Sequence, residues 1–243
     1  SYFKRIKLCK IPKWYNHLNY KSISYIELEY IKGKKVSFFD FKKIFKKNIR
    51  LTKTISDTRY INNISVFYKH KKNKKLIRIE NDIKDYLKKK NFKLNSKLSL
   101  THGDFAHYNC LKRDNNFYVF DFEKFRERVF LFDHLNWQYH SIIFNIGSLI
   151  ISNKLIFRNN FLTNVILKYI KFLIYFKFKK ILVNYKIDKK EFTKFYLFYL
   201  FEKQSILLFD LKFVKNIKKK ILTRKFIMMI KKNIYFILNN EKF

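Results

Sequence analysis

The chain has 243 residues, 48% of them apolar and 20% aromatic, and carries 55 Lys and Arg against 18 Asp and Glu, a formal net charge of +37. That length and apolar share bury a core without disulfide staples and exclude a disordered tail. The charge taken alone favours a phosphate-rich partner, either nucleic acid or an anionic membrane surface.

The kind of base weakens the nucleic-acid option. The bases are 46 Lys and 9 Arg; Asn, Ile, Phe and Tyr abound, while Gly (3), Pro (1) and Ala (Ala106 alone) are scarce. The abundant residues have A/T-only codons and the scarce ones GC-rich codons, so nucleotide bias explains much of the charge. Nucleic-acid surfaces also recruit Arg for bidentate and stacked contacts. The Lys tracts at 71–75 and 88–90 therefore read as solvated faces.

Residues 1–19 show little periodicity around Pro12. Residues 22–31, SISYIELEYI, alternate polar and apolar side chains as a strand does, and Lys32, Gly33 and Lys34 break it. Apolar residues at Val36, Phe39 and Ile44 predict a helix over 36–48, and Leu76, Ile79, Ile83 and Leu87 predict another over 74–90. Short apolar runs at 98–100 and 117–122 predict strands, and the turn residues at 113–116 make 110–113 and 117–120 a hairpin. From Leu135 the pattern is helical, with apolar faces over 161–178, 189–208 and 213–238, and Phe195, Phe198 and Tyr199 read as core.

Several functions are excluded on spacing. Cys9 and Cys110 fit no metal or redox motif, which points to a reducing compartment, and there is no signal-peptide pattern, so a cytoplasmic location is expected. The uncharged run 135–153 holds Asn136, Gln138, His140, Asn145 and Asn153 and reads as a buried helix, not a membrane span. Gly33, Gly103 and Gly147 are too dispersed for a Walker loop or a dinucleotide fingerprint, and His107, His134 and His140 match no zinc pattern.

Acidic residues are scarce, and six of the 18 gather at Asp104, Asp114, Asp121, Glu123, Glu127 and Asp133. Within that cluster His102, Asp104 and Asn109 fit H-x-D-x-x-x-x-N, and Asp121 follows at the end of an apolar strand as D-F-E. Phosphoryl transfer needs such a set: a loop carboxylate to take the proton of the attacking hydroxyl, an amide oxygen for one metal, and a strand-end carboxylate for the metal bridging the nucleotide phosphates. Few, all-oxygen ligands make Mg²⁺ the expected metal.

The segment H-G-D-F-A-x-x-N with V-F-D-F-E resembles the phosphotransferase family that includes aminoglycoside phosphotransferases and choline kinases, relatives of the protein kinases. The resemblance implies an α+β, protein kinase-like fold with a mainly helical C-terminal lobe, a small catalytic hairpin and a truncated N-terminal β lobe. Residues 1–33 would be the remnant of the nucleotide lobe and hinge strand, and 34–243 the helical lobe. It makes Asp104 the catalytic base, Asn109 and Asp121 the metal ligands, and His102 and Asp133 supports of the loop. Glu123 stands where the family often has an acid without a settled role, and the backbone of Glu29, Tyr30 and Ile31 would pair with adenine. His107 and Tyr108 depart from the small, proline or tryptophan residues of the family, which leaves the acceptor side of the loop open.

The implied activity moves the γ-phosphoryl group of ATP to a hydroxyl of a small molecule or sugar, with Mg²⁺. No upstream strands bear the phosphate-covering loop or the phosphate-pairing lysine, so the chain reads as a fragment of a longer kinase in preference to a degenerate one. After residue 133 the chain has only Asp188, Glu191, Glu202, Asp210 and Glu241, which favours a neutral or anionic sugar over a polycationic acceptor; an aromatic cage for choline stays open. Two alternatives remain: a degenerate or non-catalytic basic protein binding nucleic acid or anionic membrane, and a kinase acting on a cell-surface glycan precursor at the inner membrane surface.

Overall fold

Alternating side chains make residues 23–28 a strand, and the strand finds its partner just upstream. β2 (Trp14–Tyr20) and β3 (Ile23–Leu28) form an antiparallel pair with His17 opposite Ile26; they follow a short β1 (Cys9–Lys10). The computed structural model describes residues 9–10, 12–20, 23–37, 40, 51–69, 73–92, 95–121, 124–142 and 160–239. Within these the protein is α+β and mostly helical, with three small sheets that are mainly antiparallel.

β4 (Lys34–Lys35) pairs antiparallel with β7 (Cys110–Arg113) of the hairpin that β7 forms with β8 (Asn116–Val119), giving the sheet order β1-β8-β7-β4. Gly33 lets the chain approach: a Cβ there would stand 3.0 Å from the Lys112 carbonyl oxygen. The hairpin turns through Asp114 at φ 54°, a left-handed conformation that Asp tolerates better than most residues. A third sheet orders β5 (Leu51–Ser56), β6 (Asn95–Thr101) and β9 (Arg126–Val129), with Leu98 opposite Val129.

The helices follow their caps and stripes. α1 (Asp57–Phe67) starts at Ser56, whose hydroxyl accepts from the Arg59 N–H, and α2 (Lys74–Lys89) starts at Asn73, which accepts from the Leu76 N–H. Leu76, Ile79, Ile83 and Leu87 form the buried stripe of α2, as their spacing predicts. α3 (Phe132–Ile142) follows β9, and α4 (Asn160–Asn184), α5 (Lys189–Asp210) and α6 (Ile217–Asn239) complete the helical part. α5 is capped by Asp188 and buried on all sides from Phe192 to Ile206, so it is the central helix, packed against α1, α2, α3, α6 and β9. Phe195, Phe198 and Tyr199 are core, as expected.

The structure also departs from the sequence expectations. Residues 14–20, which lack periodicity, form β2 because the partner strand supplies the pairing. Residues 51–67 add β5 and α1, and 126–129 add β9, whose sequence Arg-Glu-Arg-Val looks solvated but buries Arg128. The strand beginning at 116 ends at Val119, short of the expected 122. Of the helix expected over 36–48, residues 36 and 37 are not helical and the rest apart from Asp40 lies outside the described residues, as does most of the run 135–153. Among the described residues no helix is long and apolar enough to cross a membrane.

His134 on α3 is buried against Phe178 of α4, with ring centroids 6.0 Å apart, and burial pushes its pKa down to about 3. The folded ring stays neutral while the unfolded one protonates below its ordinary 6.5. Stability must therefore fall as the pH drops from 6.5 towards 3, by roughly 1.4 kcal/mol per unit. Thermal melts across this range should show a shallower acid loss in His134→Phe than in the parent; parallel curves would contradict it.

Candidate active site

The site is a loop, residues 102–109, strung between β6 and β7, and its backbone is held by side chains from α3. Asp133 accepts the N–H of His102 at 2.7 Å and of Gly103 at 2.9 Å, one on each carboxylate oxygen. One turn further along the same helix face, Asn136 Nδ2 donates to the Phe105 carbonyl at 3.1 Å, and its own amide oxygen accepts from the Tyr199 hydroxyl at 3.4 Å. Burial raises the Asp133 carboxyl above its ordinary value, against the pull of the His102 ring and the two N–H groups.

His102 ties the loop to the next strand. Its Nε2 lies 2.8 Å from the Phe120 carbonyl and its Nδ1 accepts the Asp104 N–H at 3.3 Å, so these partners assign the Nε2–H tautomer. His102 is thus a scaffold of the loop. Gly103 has φ +85°, and a Cβ there would stand 2.5 Å from the Lys124 carbonyl and 2.6 Å from Arg128 Nη1. Only glycine fits between them.

Asn109 links the Asp104 backbone to the strand that leads to Asp121. Asn109 Nδ2 donates to the Asp104 carbonyl at 2.9 Å, and the Asn109 carbonyl accepts the Phe120 N–H at 3.2 Å, which sets Asp121 beside the loop. Asp121 is exposed at φ 66°, a left-handed conformation that sets its carboxylate at the strand end, and its charge is felt at the Tyr108 hydroxyl. No group of three or more His, Cys, Asp and Glu side chains able to hold a metal occurs among the described residues. The donor set of one amide oxygen and one exposed carboxylate nevertheless suits Mg²⁺, which takes few protein ligands and completes its shell with phosphate oxygens and water. Glu123 lies outside the described residues.

The hinge-like segment is partly engaged. The Glu29 N–H donates to the Lys13 carbonyl at 2.8 Å, and the Glu29 carboxylate accepts the Lys13 N–H at 3.1 Å, so that N–H serves the β2–β3 pair and not a base. Tyr30 is 85% exposed and Ile31 is buried. Among the described residues no loop or turn backbone bond engages the Glu29 carbonyl or the Ile31 N–H.

Sequence reasoning missed the buried charges around this loop. Lys203 of α5, 6% exposed, places its Nζ 3.5 Å from Asp104 Oδ1, and the Tyr108 hydroxyl stands 3.4 Å from the same oxygen. Burial holds the Lys203 ammonium below its ordinary value, the Asp104 charge acts to raise it, and neighbouring Lys124 lowers it further. Lys124 in turn pairs with Asp210 at 2.8 Å. Beside Lys203, Glu202 is fully buried and accepts from Arg128 Nε at 2.7 Å, from the Tyr60 hydroxyl at 2.6 Å and from Arg126. Burial pulls the Glu202 carboxyl up, but the Arg128 and Arg126 guanidiniums outweigh it and hold the carboxyl below its usual range. The available signal was Glu202-Lys203-Gln204 inside an otherwise apolar helix, since charges there need buried partners.

No family model, curated protein or solved structure matches the chain.

Gly103→Ala is expected to cost at least about 1 kcal/mol through the left-handed backbone alone, with further loss from the crowded Arg128 side chain. Urea unfolding measures it, and an unchanged midpoint would show that the loop relaxes freely.

Proposed function

We propose that the chain carries the catalytic lobe of an ATP-dependent phosphotransferase of protein kinase-like fold, acting on a hydroxyl of a small molecule or sugar. The observation that carries this reading is the clamp of Asp133 on the His102 and Gly103 N–H groups, with His102 bonded onward to Phe120. It fastens Asp104 to one strand end and Asp121 to the next, the relation that in-line transfer requires between a base and a metal-holding carboxylate.

In this reading Asp104 takes the proton of the acceptor hydroxyl while the acceptor oxygen bonds to the terminal phosphorus of ATP. The bond from that phosphorus to the bridging oxygen breaks, and its electron pair leaves with ADP. Asn109 and Asp121 would hold Mg²⁺, which neutralises charge on the phosphate oxygens when bound. The Glu29 carbonyl and Ile31 N–H would serve adenine. Lys203 faces Asp104, and among the described residues this carboxylate is its one hydrogen-bond acceptor. Its remaining N–H groups suit oxygens of the transferring phosphoryl group.

The surrounding charges favour a neutral or anionic acceptor. Glu202 is committed to two arginines, Asp210 to Lys124 and Asp188 to the cap of α5, which leaves little negative charge for a polycation.

With Mg²⁺-ATP and a panel of neutral and anionic sugars, the protein should release ADP in an acceptor-dependent manner, and Asp104→Ala or Asp121→Ala should slow it by about 10² to 10⁴. Equal rates in parent and variants would overturn phosphotransfer. The lowered Lys203 value places loss of its charge below the usual lysine range, so kcat should fall on the alkaline side earlier than for an ordinary lysine. Lys203→Arg should keep activity and shift that limb upwards, and Lys203→Met should lower kcat with nucleotide affinity nearly unchanged. A limb that does not move in Lys203→Arg would remove Lys203 from the chemistry.

A further inference from the structure

α4 is apolar on two opposite faces, and among the described residues only one of them is covered. Leu167, Ile170, Ile174, Phe178 and Leu182 are buried against the rest of the protein. On the outer side Phe161 is 74% exposed, Val165 50%, Tyr169 54%, Phe172 59% and Phe176 64%, at the three- and four-residue steps of a single helical stripe, and Val183, 67% exposed, follows beyond Lys179 and Lys180. The Phe172 and Phe176 rings stack on each other at 6.3 Å in this outer row. Contiguous apolar surface of this kind marks an interaction site.

The charges around the stripe identify its partner. The 25 residues of α4 and the 23 residues of the adjacent α6 contain no Asp or Glu, although the chain has 18. Lys168, Lys177, Lys179 and Lys180 are exposed along α4. Nucleotide bias raises Lys, Phe and Tyr throughout the chain, but it does not set the rings in one row along a single helix face with no acidic residue beside them. Near the start of α4 lies a groove of about 890 Å³, lined by Thr163 and Asn164 together with residues of α2, α5 and α6. Leu208, Met228 and Phe236 line it, Lys75, Arg224, Lys231 and Lys232 supply its cations, and Gln204 Oε1 borders it, buried and without a hydrogen-bond partner among the described residues.

We infer that the outer face of α4, with this groove beside it, docks on an anionic lipid surface, the aromatic stripe entering the headgroup boundary and the lysines pairing with lipid phosphates. A second copy of the chain is disfavoured as the occupant because it would bring +37 against +37. α4 lies on the membrane in this arrangement, since no described helix is long and apolar enough to span one. The inference is independent of phosphotransfer, as it uses no residue of the loop.

Flotation of the protein with vesicles of phosphatidylcholine alone, or with about one third phosphatidylglycerol, tests it. Binding is expected to the anionic vesicles only and to weaken with salt, by about fivefold for each lysine reversed or removed. Phe172→Ser with Phe176→Ser should reduce partitioning by roughly tenfold or more while melting and circular dichroism stay as in the parent, because both rings are exposed. Lys179→Glu with Lys180→Glu should weaken binding while leaving every aromatic ring of the stripe in place. Equal affinity for neutral and anionic vesicles, parent protein left in the soluble fraction, or binding indifferent to the two phenylalanines would each overturn it. So would a concentration-dependent dimer abolished by the Phe172 and Phe176 changes, which would place a second copy on the face.

Discussion

A single buried carboxylate, Glu202, joins the helical part of the protein to the loop. Taking it out of water costs several kcal/mol, and that cost is met only because two guanidiniums and the Tyr60 hydroxyl surround it. Arg128, itself 1% exposed, then extends the network: its Nη1 donates to the Thr101 hydroxyl at 2.9 Å and to the Lys124 carbonyl at 2.7 Å, on either side of the loop. Arg126 stacks on Phe67 at 3.9 Å and bonds the Tyr68 hydroxyl, which brings in the end of α1. Removing any one member leaves a buried charge behind, so β9, α1, α5 and the loop hold or fail together.

The next residue of α5 is turned by about 100° around the helix and so meets different chemistry. Glu202 faces β9 and Lys203 faces Asp104. A second buried pair, Lys194 with Asp57 at 3.2 Å, anchors the other end of α5 to the start of α1, where Ser96 also donates to Asp57 at 2.6 Å. Three ionic side chains thus fix the rotation of a helix whose aromatic surface is nearly uniform. Apolar packing alone would tolerate several settings of such a helix, since rings of similar volume can interchange.

The loop illustrates the same division of labour at smaller scale. Gly103 supplies a conformation and a vacancy, Asp133 and Asn136 supply acceptor and donor from one helix face, and His102 passes the constraint to Phe120. Asp121, in a left-handed conformation, then stands at the end of the hairpin. None of these groups is long or flexible, so the positions of Asp104 and Asp121 follow from backbone bonds of 2.7 to 3.3 Å and do not rely on side-chain freedom.

Local order in the chain was enough to read several features. The period of α2, the aromatic helix α5 and the β7–β8 hairpin depend on neighbours within a few residues or one turn, and a motif in one acid-rich stretch singled out His102, Asp104, Asn109, Asp121 and Asp133, although Asp133 reaches His102 only across 31 positions. β2 and β9 were not readable, because one is defined by its pairing partner and the other looks polar until Glu202 and Thr101 are folded against it. Lys203 was equally hidden, lying 99 positions from Asp104 in an interval that no local spacing can span. The outer stripe of α4 has the same cause: its residues read as core by period, and only the packing of α4 against its neighbours leaves them in water. Burial is a property of the assembled helices, and so is the pairing of any charge that burial strands.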